Sequence, residues 1–208
     1  MKLLRNVLHC IKETPERTLD ILDSFSDNQF TSKKPLLDSL ESNGIIEEDS
    51  IVLILGSWYG SILIEHLAPR VKKIIAIDKD DDTVKIGKEF FKHYSNIVWI
   101  TADVCNDVER TFYEEATLLI NTSCEHMEDM KKWDKWKTMK RDFNKNPLYL
   151  ALQSNNMFDI ETHINCVNNI NEFKDQLPFA FWIQEESIED TRGTRFMLIG
   201  QYHIEKKP

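Results

Sequence analysis

Two of the chain's six glycines fall within the five residues Gly56-Ser57-Trp58-Tyr59-Gly60. Glycine lets backbone turn tightly and approach a ligand with no Cβ in the way. Asp78 follows 22 positions after Gly56. That is close to the roughly 20-residue spacing at which a carboxylate meets ribose hydroxyls beyond a glycine-rich loop. A second acid, Asp103 in Thr101-Ala102-Asp103-Val104, stands where an adenine amino group would be read. Together these residues have the order expected of a nucleoside-binding edge. The bland alternative is a loop serving turn geometry beside two solvated acids.

Further along, Asn121-Thr122-Ser123-Cys124-Glu125-His126-Met127 offers chemistry of another kind. Glu125 and His126 supply a general base, since an imidazole takes up a proton near neutrality. The same two residues could simply cap a following helix, where the dipole favours Glu. Cys124 reads as a bystander thiol. Gln153, Asn155 and Asn156 follow an apolar run and could hydrogen-bond a polar substrate, although Asx-turn chemistry would use the same residues. His163 lies beyond them. The Glu125–His126 pair could also hold a metal, but no further acid–His set has convincing spacing, and no metal is expected. Residues 131–145 carry seven basic side chains against two acidic ones, interleaved with Trp133 and Trp136. Such a surface could cover the site, attract an acidic substrate or stack on a ring. Equally, the tryptophans could pack on the domain.

The elements that must position these residues are legible from period and punctuation. Residues 3–25 read as helix interrupted at Pro15, Asp27-Asn28-Gln29 as a turn, and Leu36–Ser42 as a helix opened by Pro35 and closed by Asn43-Gly44. From Ile51 the pattern changes to short apolar runs: Ile51–Leu55, Lys73–Asp78, Asn96–Thr101, Thr117–Asn121 and Leu148–Gln153. Continuous apolar runs are what strands buried on both faces require. Helical stretches separate them, including a charged one over about 125–143. Two final β runs, Phe179–Gln184 and Arg195–Ile204, are joined by the polar stretch Glu185–Thr194. Alternation implies a parallel, doubly wound α/β sheet with right-handed crossovers, and the closing hairpin adds one antiparallel strand. The expected architecture is a Rossmann-like seven-stranded sheet within a single domain over 1–208, with an N-terminal helical cap (1–48) on a core (49–208). Ligands of such a sheet bind at the carboxyl ends of its strands.

Composition sets outer limits. The chain has 208 residues, a formal charge of −9, 41% hydrophobic and 29% charged residues. That is the profile of an ordinary globular protein. The acidic balance argues against nucleic acid as a partner, because non-specific binding needs basic surface to displace counterions. No apolar run approaches the roughly 20 residues of a membrane span. The N-terminus is too charged for a signal peptide, and four scattered cysteines suggest neither zinc nor disulfides. A cytoplasmic location is expected, and oligomeric state is not encoded in any pattern.

A dinucleotide-binding loop would need Gly at 56, 58 and 61, whereas a GxGxG loop needs Gly at 56, 58 and 60. The chain matches one of three positions in the first template and two of three in the second. On these residues, 51–204 resembles the class I S-adenosylmethionine-dependent methyltransferases. VLILGSWYG is similar to their first motif, IIAIDKD to the second, ITADV to the third and LLINTSCEHM to the fourth, and the closing hairpin resembles that family's ending. The resemblance implies S-adenosylmethionine as cofactor. Gly56 and Gly60 would approach its methionine part, Asp78 would bind its ribose, and Asp103 and Val104 its adenine, with Ser57, Trp58, Lys79 and Asn121 as further cofactor-binding residues. Ser32–Leu40 followed by GSWYG further resembles methyltransferase-like proteins of bacteriophages, which would place the chain in a host cytoplasm. The implied reaction is methyl transfer to an oxygen or nitrogen of a small polar acceptor. No DPPY-like or Pro-Cys signature of the base-methylating DNA enzymes follows the fourth strand. Two positions depart from the family pattern: Ile54 replaces a customary acid and Trp58 the middle glycine. These favour the rival readings, a non-catalytic binding module or another reaction of the same cofactor.

Overall fold

The computed structural model describes residues 2–133, 145–177 and 180–203. Its seven strands belong to one mixed, mostly parallel sheet, and the chain divides into two compact units, residues 1–104 and 105–208.

In the first unit, α1 (Lys2–Glu13), a 3-10 turn (Pro15–Arg17), α2 (Thr18–Asp23) and α3 (Asp27–Ser42) precede β1 (Ile51–Leu55), α4 (Leu63–Leu67), β2 (Lys73–Asp78), α5 (Asp81–Phe90) and β3 (Ile97–Thr101). The strands lie in the order β3-β2-β1, all parallel, with Leu55 beside Ile77 and Asp78 beside Thr101. β1 and β2 are buried almost throughout, as their unbroken apolar sequences require, whereas β3 is half-exposed at the sheet edge. The helical cap is fastened by its own core. Ile21, Leu36, Leu37 and Leu40 are buried, and Phe90 lies 5.8 Å from Phe25 and 5.7 Å from Tyr59 between ring centroids. Asn6, buried on α1, donates its side-chain amide to the carbonyl of Phe90 at 2.9 Å.

Two local expectations are corrected here. Asp27-Asn28-Gln29 is the first turn of α3, because the Ser26 hydroxyl caps it by accepting from the Gln29 amide at 3.3 Å. Pro35 therefore sits inside that helix rather than opening a new one, and α3 forgoes one backbone hydrogen bond there.

In the second unit, α6 (Arg110–Glu115), β4 (Leu118–Asn121), 3-10 turns at Cys124–His126 and Met130–Lys132, and β5 (Tyr149–Asn155) precede α7 (Ile170–Asp175), β6 (Ala180–Asp190) and β7 (Gly193–Tyr202). The order is β4-β5-β7-β6, with β4 parallel to β5 and β7 antiparallel to both neighbours. The closing hairpin thus supplies the one antiparallel strand expected of it. Its turn is shorter than the sequence suggested, however. The polar run Glu185–Asp190 continues β6, with alternate residues exposed along an edge strand, where charge discourages pairing with other chains. β5 is also longer than its apolar run. Gln153, the last residue of that run, pairs with Met197, and Asn155 beyond it is also a strand residue, paired with Arg195 rather than part of a loop. The expected helix over 125–143 begins instead as two 3-10 turns, and Trp136 lies outside the described residues. Among the described residues no helix is long and apolar enough to cross a membrane, and all four cysteines are free thiols.

Candidate functional site

Because β1, β2 and β3 are parallel, the loops leaving their carboxyl ends open at one edge of the first unit. The loop after β1 is built by backbone geometry. Gly56, Trp58 and Gly60 have φ of 63°, 47° and 70°, the left-handed region in which glycine is at ease and tryptophan is not. The Ser57 amide reaches the Ile77 carbonyl at 2.9 Å, extending the β1–β2 ladder by one rung. The Gly60 amide then closes on the Ser57 carbonyl at 2.8 Å, and the Gly60 carbonyl accepts from the Ile64 amide entering α4. A Cβ on Gly60 would stand 2.4 Å from Ile64 Cδ1, so this glycine permits the close approach of loop and helix.

Asp78 organises the edge. Its Oδ2 accepts from the Trp58 amide at 2.8 Å and its Oδ1 from the Asp80 amide at 3.1 Å, so one carboxylate ties together the loops after β1 and β2. Lys79 beside it is exposed, Asp103 is half-buried and Val104 is buried. Ile54 is buried within β1, where it fills sheet core.

Sequence reasoning missed the support beneath this loop. Arg17 Nε donates to the Tyr59 hydroxyl at 2.9 Å, and its guanidinium also meets Asp80 Oδ2 at 3.0 Å and the Thr83 hydroxyl at 2.7 Å. Tyr59 is wholly buried, and its hydroxyl donates to Asp20 at 3.3 Å. Asp80 also caps α5, accepting from the Asp82 and Thr83 amides. Burial would raise the Asp80 pKa, but the hydrogen bonds from Thr83 and the Arg17 guanidinium hold it below the usual carboxylate range. No local pattern marked Arg17 as a support of this loop: besides Asp20 three positions on, its partners Tyr59, Asp80 and Thr83 lie 42 to 66 positions away.

The second unit presents its own edge, where the parallel strands β4 and β5 both end. Asn121 is fully buried and engaged within its own loop: Oδ1 accepts from the Ser123 amide at 3.0 Å, and Nδ2 approaches Met127 Sδ at 3.3 Å. Cys124 is fully buried, which pushes its thiol well above the ordinary range and leaves it unsuited as a nucleophile. Glu125 is buried, and its Oε1 accepts from Asn155 Nδ2 at 2.8 Å. His126 is exposed. Its Nδ1 lies 3.1 Å from the Thr162 carbonyl, which can only accept, so Nδ1 carries the proton and Nε2 the lone pair.

The loop after β5 folds back over these residues. The Asn165 amide donates to the Glu125 carbonyl at 2.9 Å, and its side chain is paired with Gln176. This return brings His163 edge-on to His126, with ring centroids 4.6 Å apart. Burial and then the neighbouring His126 hold the His163 imidazole below its usual pKa. Glu125, His126 and Asn155 therefore do come together, and His163 joins them.

Other expected substrate contacts do not face outward. Gln153 is buried in β5, and Asn156 Oδ1 accepts from the Thr194 amide at 2.7 Å, pinning the hairpin. Trp133 is buried, with its indole N–H donated to the Glu128 carbonyl at 3.1 Å, as a core residue rather than a cover.

No protein-family model matches the chain. It is 33% identical over 110 residues to ribosomal RNA small subunit methyltransferase A of Bacillus mycoides (strain KBAB4), a match covering 49% of this chain and 37% of that protein. The chain thus spans well under two-thirds of the curated relatives it matches. Among solved structures, the N-methyltransferase NodS of Bradyrhizobium japonicum WM9 in complex with S-adenosyl-L-homocysteine superposes with a TM-score of 0.66 at 16% identity, covering 86% of this chain and 89% of NodS. A SAM-dependent methyltransferase from Aquifex aeolicus superposes at 0.60 with 15% identity, over 80% and 89%. The fold is that of the class I S-adenosylmethionine-dependent methyltransferases.

Proposed function

We propose that this chain, read as one catalytic domain, is a methyltransferase that uses S-adenosylmethionine and acts on an oxygen or nitrogen of a small polar acceptor. The observation that carries the reading is the Asp78 carboxylate, which holds the backbone of the glycine-bearing loop at the carboxyl edge of three parallel strands. Gly56, Ser57, Trp58 and Gly60 would follow the methionine part of the cofactor, Asp78 and Lys79 its ribose, Asp103 and Val104 its adenine. Bound there, S-adenosylmethionine would supply an activated methyl group, and Glu125 and His126 would take up the proton that the acceptor gives up on methylation. Both catalytic assignments rest on the loops after β4 and β5 sharing one edge. Asn121, Gln153 and Asn156 are given supporting rather than contacting roles, because their polar groups lie within the fold.

The ribosomal RNA methyltransferases among the relatives favour a second acceptor class, RNA. The non-catalytic reading draws on Ile54 and Trp58. Titration calorimetry with S-adenosylhomocysteine separates enzyme from module. Wild type should bind, and Asp78→Ala should bind at least tenfold more weakly, since two charge-assisted hydrogen bonds of about 1.5–3 kcal/mol each are lost. Absence of binding by wild type would sink the enzymatic reading. With an acceptor in hand, radiolabelled methyl transfer should fall roughly 10²–10⁴-fold in His126→Ala while cofactor affinity holds. Full turnover by that variant would remove His126 from the reaction.

A further inference from the structure

We propose that Glu125, His126 and His163 form a binding site for a first-row divalent transition cation, such as Zn²⁺ or Mn²⁺. One ligand atom from each of the three lies within 4.8 Å of the other two. A cation bound about 2.0–2.2 Å from each ligand draws them somewhat closer together, a movement within reach of small side-chain rotations. Two imidazoles and one carboxylate suit zinc, manganese or iron, rather than the all-oxygen cages of calcium and magnesium.

Outer partners already orient all three side chains, as they do in metal sites. The Thr162 carbonyl takes the His126 Nδ1 proton and leaves the Nε2 lone pair as the ligand. Asn155 Nδ2 fixes Glu125 Oε1 at 2.8 Å. The Cys166 thiol donates to Asn155 Oδ1 at 3.4 Å and lies 3.7 Å from His163 Nδ1. Asn155 thus anchors one ligand directly and another through Cys166.

Glu125 is buried, His163 partly exposed and His126 exposed, so the cluster is closed behind and open in front. Three protein ligands with an open face leave positions for water or for a substrate oxygen. A hydroxyl bound there loses its proton more readily, the task the sequence assigns to a lone imidazole. The inference extends the acceptor end of the proposed enzyme but does not require its cofactor to bind.

The test is calorimetric titration of the chelator-treated, desalted 208-residue chain with Zn²⁺ and with Mn²⁺. Manganese binding is followed in parallel by the loss of the free-ion electron paramagnetic resonance signal. Wild type should take up one equivalent of cation. His163→Ala and His126→Ala should each weaken it at least tenfold, while both retain wild-type affinity for S-adenosylhomocysteine. His126 is exposed, so its variant is expected to fold even if the His163 variant does not. Uptake of neither cation by wild type, or unchanged uptake by His126→Ala, would overturn the site. Loss of S-adenosylhomocysteine binding in wild type would instead count against the enzymatic reading alone.

Discussion

At Trp58 a bulky side chain occupies a backbone position with φ of 47°. Left-handed backbone costs an L-residue roughly 1–2 kcal/mol, which glycine escapes. The amide is held there by the Asp78 carboxylate, and the ring lies 5.2 Å from that of Tyr59. The usual ranking of alanine above glycine should therefore reverse. Trp58→Gly loses the ring pair but relieves the backbone; Trp58→Ala loses the pair and keeps the strain. Urea unfolding should find the glycine variant more stable than the alanine variant by about 1 kcal/mol. Equal stabilities would mean that the loop relaxes out of the left-handed region when the tryptophan goes.

Between elements, Arg17 joins the 3-10 turn after α1 to the loop after β1 and to the start of α5. Replacing it with Met leaves the Tyr59 hydroxyl without that donor and Asp80 without its cation, a loss of about 1–3 kcal/mol by chemical denaturation. The pH dependence has a definite sign. The folded pKa of Asp80 is depressed, so its contribution is present above the unfolded value near 3.9 and is lost as pH falls through the lower folded value. The gap between wild type and Arg17→Met should therefore narrow as acid protonates Asp80. A constant gap down to acid-induced unfolding would show that Arg17 acts by packing on Tyr59 instead. The N-terminal helices were legible as helices from their apolar spacing, but this contact was not, because a single arginine in Pro15-Glu16-Arg17 carries no period.

For the whole molecule, charge separates the two acceptor classes. The chain is −9 overall, yet seven of its 26 Lys and Arg side chains fall within residues 131–145. Phosphate contacts weaken steeply with salt. Filter binding should show ribosomal RNA retained only at low ionic strength and released by about 0.15 M salt, as expected for a small acceptor. In Lys131→Glu/Lys132→Glu, even the low-salt retention should fall while S-adenosylhomocysteine affinity stays unchanged. Retention by wild type at physiological salt would turn the reading toward RNA.

The sequence by itself determined whatever depends on neighbours along the chain. Ile51–Leu55 and Lys73–Asp78 are the strands their apolar runs describe, and Gly56 and Gly60 turn as glycines between a strand and a helix must. The order of alternation then leaves few sheet topologies open. Tertiary structure decided which polar groups face one another. Ser154 and Asn155 look like loop residues locally, yet pairing with β7 draws them into β5 and buries them. Trp133, read as a cover, gives its indole proton to Glu128 and packs inward. His163 carries no signal that it belongs beside His126, 37 positions earlier. The pairing arises only because Thr162 and Asn165 hydrogen-bond back onto the turn after β4. Periodicity encodes which face of an element is buried, but a contact between two loops depends on the path of both. That path is fixed by hydrogen bonds formed only once the strands beneath them are in register.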